Sequence, residues 1–433
     1  MVLKRNDQKK IFQKVNSKKS ICLLCKGGKL LCGKPYCPVL IKAQAMAKHS
    51  GAFNSTNIQG STPPAIFVGR LGYPKVLVGP MIPSYFGDTE ILDTPELWVG
   101  KSINDIIDYR YSLIRGKMIV DIHEPSKNVK TIDTLQELAM SNTSIESEAQ
   151  FTKRPTGRII LSEYSQPFGP SAPLKSFLTS NINVDRRIEK AFYDRDLKAS
   201  EAIQKLYGDG VLVTRIQRAL SIGLLGLGAR RKLVPTRWSI TAVDSALSLS
   251  LINKIKDFDT IDDYSIYYFE NLGNIFIAIF LPRIWSFEWI EAWFPGTVWN
   301  VGGSYASLMG DFEGHKGRSA YARVGGCYYS ARLAVAEKLG LLRKQATAIV
   351  FREIHPEYML PVGVWNVRES MRKALETKPL HFNTLEESLN YVENKLTIPI
   401  KKWIKNSSLL KDALYQKRIT DFKISYDTYQ NFN

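Results

Sequence analysis

The stretch Cys22-Leu-Leu-Cys25-Lys26-Gly-Gly-Lys29-Leu-Leu-Cys32-Gly-Lys34-Pro-Tyr-Cys37-Pro38 holds four of the chain's five cysteines, spaced C-x2-C-x6-C-x4-C. Cys22 and Cys25 can bind one ion from a single tight turn. Gly27 and Gly28 let that turn fold back with its amides facing the sulfurs. Four thiolates, from Cys22, Cys25, Cys32 and Cys37, fit a closed tetrahedral site for a structural Zn2+ ion. Two disulfides are an alternative, disfavoured because the rest of the chain has one cysteine and no secretory signal. An iron–sulfur cluster is another, although ferredoxin runs are more tightly spaced. The first architectural expectation is a small metal-nucleated module placed ahead of a larger body.

That module is basic. The 433-residue chain has 59 Lys+Arg against 41 Asp+Glu, a formal charge of +18. Twelve of the cations, against one Asp, fall in residues 1–48. So one-sided a segment points to a polyanion, most often nucleic acid. Lys26, Lys29 and Lys34 inside the cysteine segment are the first phosphate-contact candidates. No apolar run reaches bilayer length, and the lysine-rich start has no apolar core of a signal peptide. A cytoplasmic protein without a membrane partner is expected.

Beyond a polar linker from Ser50 to Thr62, the composition is that of a globular body, 44% apolar and 11% aromatic. The expected fold class is α+β, a mixed α/β body behind the zinc module. The division is 1–48 for arm and knot, 63–230 and 231–400 for the two parts of the body, and 401–433 for a basic tail. Ala65–Val68 and Lys75–Val78 read as a hairpin around Gly69-Arg70-Leu-Gly72-Tyr73-Pro74, with Arg70 and Tyr73 at its tip. Residues 141–185 read as a long surface excursion with room for short strands such as Arg158–Leu161, and Leu212–Gln217 as a strand. Ser265–Phe269 and Asn274–Phe280 read as a pair of strands. Trp285, Trp289 and Trp293 recur every four residues, which predicts one helix face packed in the core.

The densest chemical stretch of the body is Gly310-Asp311-Phe-Glu313-Gly-His315-Lys316-Gly-Arg318-Ser319. In an extended chain Asp311, Glu313 and His315 share a face. Glu353 and His355 repeat the two-residue spacing after a strand at Ala346–Arg352. Together these five would hold a second divalent metal of the kind phosphoester hydrolysis uses. Lys316, Arg318, Arg352 and Arg368 would grip phosphate, with Arg70 and Arg237 as further contacts. The bland alternative is paired charges that hold a glycine-rich loop against the body.

In the tail, Gln416-Lys-Arg-Ile419-Thr-Asp-Phe422-Lys423 resembles the Q-x-x-[ILM]-x-x-[FY]-[FY] motif with which replication and repair proteins dock on the sliding clamp (PCNA). Ile419 and Phe422 would plug one pocket, with Gln416 as polar anchor. Lys423 stands where the second aromatic belongs, and ten further residues follow.

As a whole the chain resembles the archaeal Nre family of DNA-repair proteins. The resemblance rests on the cysteine segment, Phe67-Val-Gly-Arg-Leu-Gly-Tyr-Pro-Lys75, Gly87-Asp-Thr89, Pro235-Thr-Arg-Trp-Ser-Ile-Thr241, Gly310–Ser319, and Pro361-Val-Gly-Val-Trp365 with Arg368-Glu369. It implies an N-terminal zinc finger, a role in DNA-damage repair and a clamp-binding motif at the C-terminus. Two other functions fit the residues alone: a metal-dependent enzyme acting on a nucleotide or phosphodiester, and an RNA- or ribosome-associated binding protein.

Overall fold

A computed structural model describes residues 25, 28–31, 36–126, 130–157, 168–300, 303–358 and 360–416. The expectations placed on Cys22, Lys26, Cys32, Lys34, Ile419, Phe422 and Lys423 lie outside the described residues.

The body is mixed α and β, built on two six-stranded sheets. The first sheet contains β1 (Asn57–Thr62), β2 (Ile66–Val68), β3 (Lys75–Ile82), β4 (Ile114–Asp121), β5 (Ile145–Phe151) and β6 (Ser171–Thr179), in the order β1-β5-β6-β4-β3-β2. Only β4 and β6 run parallel within it. Helices α1 (Pro38–Lys48), α2 (Ile103–Ser112) and α3 (Lys130–Met140) belong to this half. They are followed by α4 (Arg186–Tyr193), α5 (Ala199–Gly208) and α6 (Val213–Ser221). Alternation assigns the faces: Val76, Val78, Met118 and Val120 pack toward α3 to α6, whereas Leu77, Lys117 and Ile119 turn the other way.

Helix α7 (Thr236–Ile255) joins the halves. Its Val243 and Leu247 enter the core of the first sheet, and Ile252 and Ile255 enter that of the second. The second sheet contains β7 (Tyr264–Asn271), β8 (Asn274–Leu281), β9 (Ser286–Trp293), β10 (Ser307–Glu313), β11 (Thr347–Ile354) and β12 (Leu380–Phe382). Their order is β10-β9-β11-β8-β7-β12, with β11 and β9 parallel. Helices α8 (Gly326–Leu342) and α9 (Trp365–Glu376) cover one face together with the end of α7. Helices α10 (Leu385–Glu393), α11 (Ile400–Asn406) and α12 (Ser408–Tyr415) cover the other. All eight residues of β11 are buried, as expected of a central strand covered on both faces.

Three expectations are corrected. The tryptophan recurrence belongs to β9 and its entry, not to a helix. A spacing of four is an even number, so it keeps Trp285 and Trp289 on one strand face as well; both are fully buried. Leu212–Gln217 is the start of α6, where Val213, Ile216 and Ala219 are buried at helical spacing. Residues 141–185 contain the regular strands β5 and β6 in place of the expected surface excursion; the polar Glu146, Glu148 and Gln150 disguise an alternation in which Ile145, Ser147, Ala149 and Phe151 are buried, and Arg158–Leu161 lies outside the described residues. The paired strands 265–269 and 274–280 form as expected, within β7 and β8.

Candidate nucleic-acid interface

The polar stretch 310–319 folds into the edge strand β10 and the turn after it. Arg332 on α8 donates from Nη1 to Glu313 Oε2 at 2.7 Å, with 1% of either side chain exposed. The Ser248 and Ser245 hydroxyls accept the other donors of Arg332, at 3.1 and 3.2 Å. Arg318 pairs with Asp311 at 2.8 Å, and the Arg323 and Phe312 amides donate to the same carboxylate. Burial pushes the Asp311 carboxyl up, but these donors more than offset it and hold it below the usual range.

Glu353 lies elsewhere. Its carboxylate accepts from the Thr397 and Ile398 amides, and His355 Nε2 stands 3.1 Å away while its ring stacks on Phe294 at 4.3 Å. Glu353 is level with Ala292 and Leu308, five residues along β10 from Glu313. It also follows Ile349 and Phe351 onto the α10–α12 face, whereas Glu313 faces α8. Asp311, Glu313, His315, Glu353 and His355 therefore form no common metal centre. Among the described residues no three His, Cys, Asp or Glu side chains gather as one.

The phosphate grip is corrected in the same way. Arg352 is buried against Glu291 at 2.8 Å and Asn274 at 3.0 Å. Arg368 is buried among Asp244, Glu369 and Glu96, at 3.1, 2.8 and 3.8 Å. Burial disfavours the Arg368 charge, and Asp244 leads the carboxylates that raise its pKa overall. Both guanidinium groups are spent inside the protein. Of this group only His315 and Lys316 are exposed, on the turn closed by Gly317 N–H to Gly314 C=O at 2.9 Å.

In the first half, two stretches far apart in sequence meet. The β2–β3 connection turns at Gly72, where φ is +85° and a Cβ would lie 2.7 Å from Lys75 C=O, so a side chain has no room. The Val68 amide donates to Thr236 Oγ1 at 2.9 Å, which sets the turn against the start of α7. There the Tyr73 and Trp238 rings meet at 5.6 Å. Tyr73 is 45% exposed and Trp238 47%. Arg70, Lys75 and Arg237 around them are exposed and form no ion pair among the described residues. The first turn of α7 has neither an acidic residue nor a side-chain cap, so its positive end adds to theirs. Sequence reasoning had Arg70, Tyr73 and Arg237 but missed Trp238; its place beside a Pro-Thr-Arg helix start was the available signal.

The two ends of the chain enter and leave the body at fixed points. The amides of Gly28 and Lys29 donate to Cys25 C=O at 3.2 and 3.3 Å, so the backbone after Cys25 makes the tight turn that a thiolate site requires. Cys37 is the N-cap of α1, and Lys29 is exposed. Helix α1 packs Ile41, Ala45 and Met46 against Ile107, Tyr111 and Leu360. Lys48 and His49 both bond Asp108, at 2.6 and 2.7 Å. At the other end the buried Glu288 carboxylate accepts from the Ser408 and Leu409 amides and from the Ser407 hydroxyl. Gln416, first residue of the clamp-like motif, is the C-cap of α12.

These features define a two-sheet mixed α and β protein that pairs most of its buried charges internally and leaves the cations around Tyr73 and Trp238 without an ion pair among the described residues. A family model for the N-terminal region of archaeal Nre matches residues 31–300, and one for the C-terminal region matches residues 313–422. The chain belongs to the archaeal Nre family. It is 42% identical to DNA repair protein NreB of Archaeoglobus fulgidus over 393 residues, covering 90% of this chain and 97% of that one. It is 36% identical to DNA repair protein NreA of the same organism over 379 residues, covering 86% and 94%. To DNA repair protein NreA of Haloferax volcanii it is 34% identical, covering 84% and 89%. No solved structure matches it. Among the described residues no helix is long and apolar enough to cross a membrane.

Proposed function

We propose that this chain is a DNA-repair factor that binds DNA in preference to RNA and acts as a binding and docking protein. The relatives named DNA repair protein support the process. The observation that carries the binding mode is the contact of Tyr73 with Trp238, which brings together two segments that also carry the exposed Arg70 and Arg237. Cations without internal partners beside half-exposed rings are what a nucleic acid needs from a protein surface. Cys22, Cys25, Cys32 and Cys37 hold a structural zinc ion that shapes the basic N-terminus into a second grip, supported by the turn at Cys25. Gln416, Ile419 and Phe422 tether the body to the sliding clamp, supported by the anchoring of α12 directly before the motif.

The test is fluorescence anisotropy with labelled DNA over a salt series. Arg70→Gln with Arg237→Gln should lower the slope of log affinity against log salt by about two, roughly one per phosphate contact. An unchanged slope and affinity would refute the interface. Elemental analysis finding neither zinc nor iron in the native protein would refute the metal module. Clamp affinity unchanged by Ile419→Ala with Phe422→Ala would refute the tether.

A further inference from the structure

The outward face of the first sheet is also unusual in its charges. Arg115 on β4 carries its guanidinium over the Phe67 ring at 5.3 Å and the Phe168 ring at 4.6 Å. Among the described residues its Nε has no hydrogen-bond partner, and its Nη2 donates to Gly169 C=O at 3.4 Å. No carboxylate pairs with it among the described residues. Two residues on and on the same face stands Lys117, also without an ion pair. Burial and the neighbouring Arg110 pull the Arg115 pKa down to about 10, and burial and Arg115 pull Lys117 down. A charge kept in this state at a cost is compensated when an anion arrives. Next on the face is Ile119, 75% exposed. The strand then ends at Asp121 beside Lys75, at the turn that carries Tyr73.

We infer that single-stranded DNA crosses this open sheet face, from the Arg115–Phe168 stack past Lys117 and Ile119 to Tyr73 and Trp238. The inference rests on the nucleic-acid reading above and names its substrate. Six residues of strand separate Arg115 from Asp121, about 20 Å at ~3.3 Å per residue. Ring faces stand at both ends of that span, with cations and an apolar side chain between. Unstacked bases use ring faces; a duplex, whose bases are already stacked, does not. The cations then meet the phosphates on the same track.

The experiment measures the full-length protein against oligothymidylates of roughly 4, 8 and 16 nucleotides. Arg115→Gln and Phe168→Ala should weaken the longer oligomers about tenfold and leave the shortest, held at the Tyr73–Trp238 end alone, unchanged. Ile119→Glu, at a site too exposed to threaten folding, should weaken the longer oligomers likewise. Wild-type binding of every length by Ile119→Glu and Arg115→Gln, with binding lost in Trp238→Ala, would overturn the track and leave the interface standing. Intact binding in Trp238→Ala as well would remove the nucleic-acid reading itself. Tighter binding of a duplex or of the matching RNA, or equal competition by polyglutamate, would also overturn the single-stranded DNA assignment. An Arg115→Gln protein that loses thermal stability but no affinity would overturn the track and show that Arg115 serves the internal packing of Phe67 and Phe168 instead.

Discussion

In the second sheet Arg332 meets Glu313 at 2.7 Å, and Arg352 meets Glu291 at 2.8 Å, both pairs out of reach of solvent. On the first sheet Arg115 and Lys117, and beside it Arg70 in the β2–β3 turn and Arg237 on α7, meet no carboxylate among the described residues. The difference follows from layering. Helices cover both faces of the second sheet, so every charge its sequence carries inward must be neutralised inside. The outer face of β3 and β4 is open beyond Lys117, and water or a ligand can solvate what it displays. The dense charged run 310–319 therefore marks pairs that hold the second sheet to its helices, and the sparser cations Arg70, Arg115, Lys117 and Arg237 mark the surface proposed to bind.

The sharpest way to break this contrast is to exchange one charge from each half. Arg332→Met leaves the Glu313 carboxylate buried with no counter-ion, and breaking such a pair costs roughly 3–5 kcal/mol. Urea denaturation should show that loss, while DNA affinity of the protein that remains folded stays at the wild-type level. Arg237→Gln should do the reverse, moving stability by less than about 0.5 kcal/mol. A stable Arg332→Met protein with impaired DNA binding would dissolve the distinction.

The next effect in size falls on the rings. Trp238→Ala should cost about 1–3 kcal/mol of affinity for single-stranded DNA, the usual worth of one stacked base. Its exposure means that stability should hardly change. Trp289→Ala, one sheet away, should destabilise by about 3–5 kcal/mol and leave the affinity of the folded fraction alone, because that ring is wholly buried.

Periodicity and turn chemistry made the hairpin of β2 and β3 and the β7–β8 pair legible, because each signal is local. The α+β class was legible for the same reason. What stayed hidden depends on partners distant in sequence. Asp311, Glu313 and His315 do lie on one extended run, but only the register of β10 on β9 and of β9 on β11 separates Glu313 from Glu353. Arg368 looked available until Asp244, 124 residues earlier, filled its fork. Trp238 carried no reading of its own until the Val68–Thr236 bond brought Tyr73 beside it. The tryptophan spacing was ambiguous in principle, since multiples of four satisfy a helix turn and a strand face alike.

Between the two extremes stands the contact of α1 with the body, a charged cluster neither sealed nor open. Burial raises the Asp108 carboxyl, and hydrogen bonds from Lys48 and His49 more than reverse this, leaving it depressed. A depressed carboxyl contributes stability above its unfolded pKa, near ~3.9, and loses it as pH falls through the lower folded value. Lys48 is raised, first by its hydrogen bond to Asp108, so its share is present below its ordinary pKa and lost only at more alkaline pH. The pair thus holds α1 in place throughout the neutral range, for roughly 0.2–1 kcal/mol given its exposure. Thermal unfolding of wild type and Asp108→Asn should differ by a small, constant amount near neutrality, and the two curves should converge as pH drops below about 3.9. A difference that survives unchanged to strong acid would mean that packing of Ile41, Ala45 and Met46 alone docks the helix, and that the basic N-terminal segment is fastened by apolar contact rather than charge.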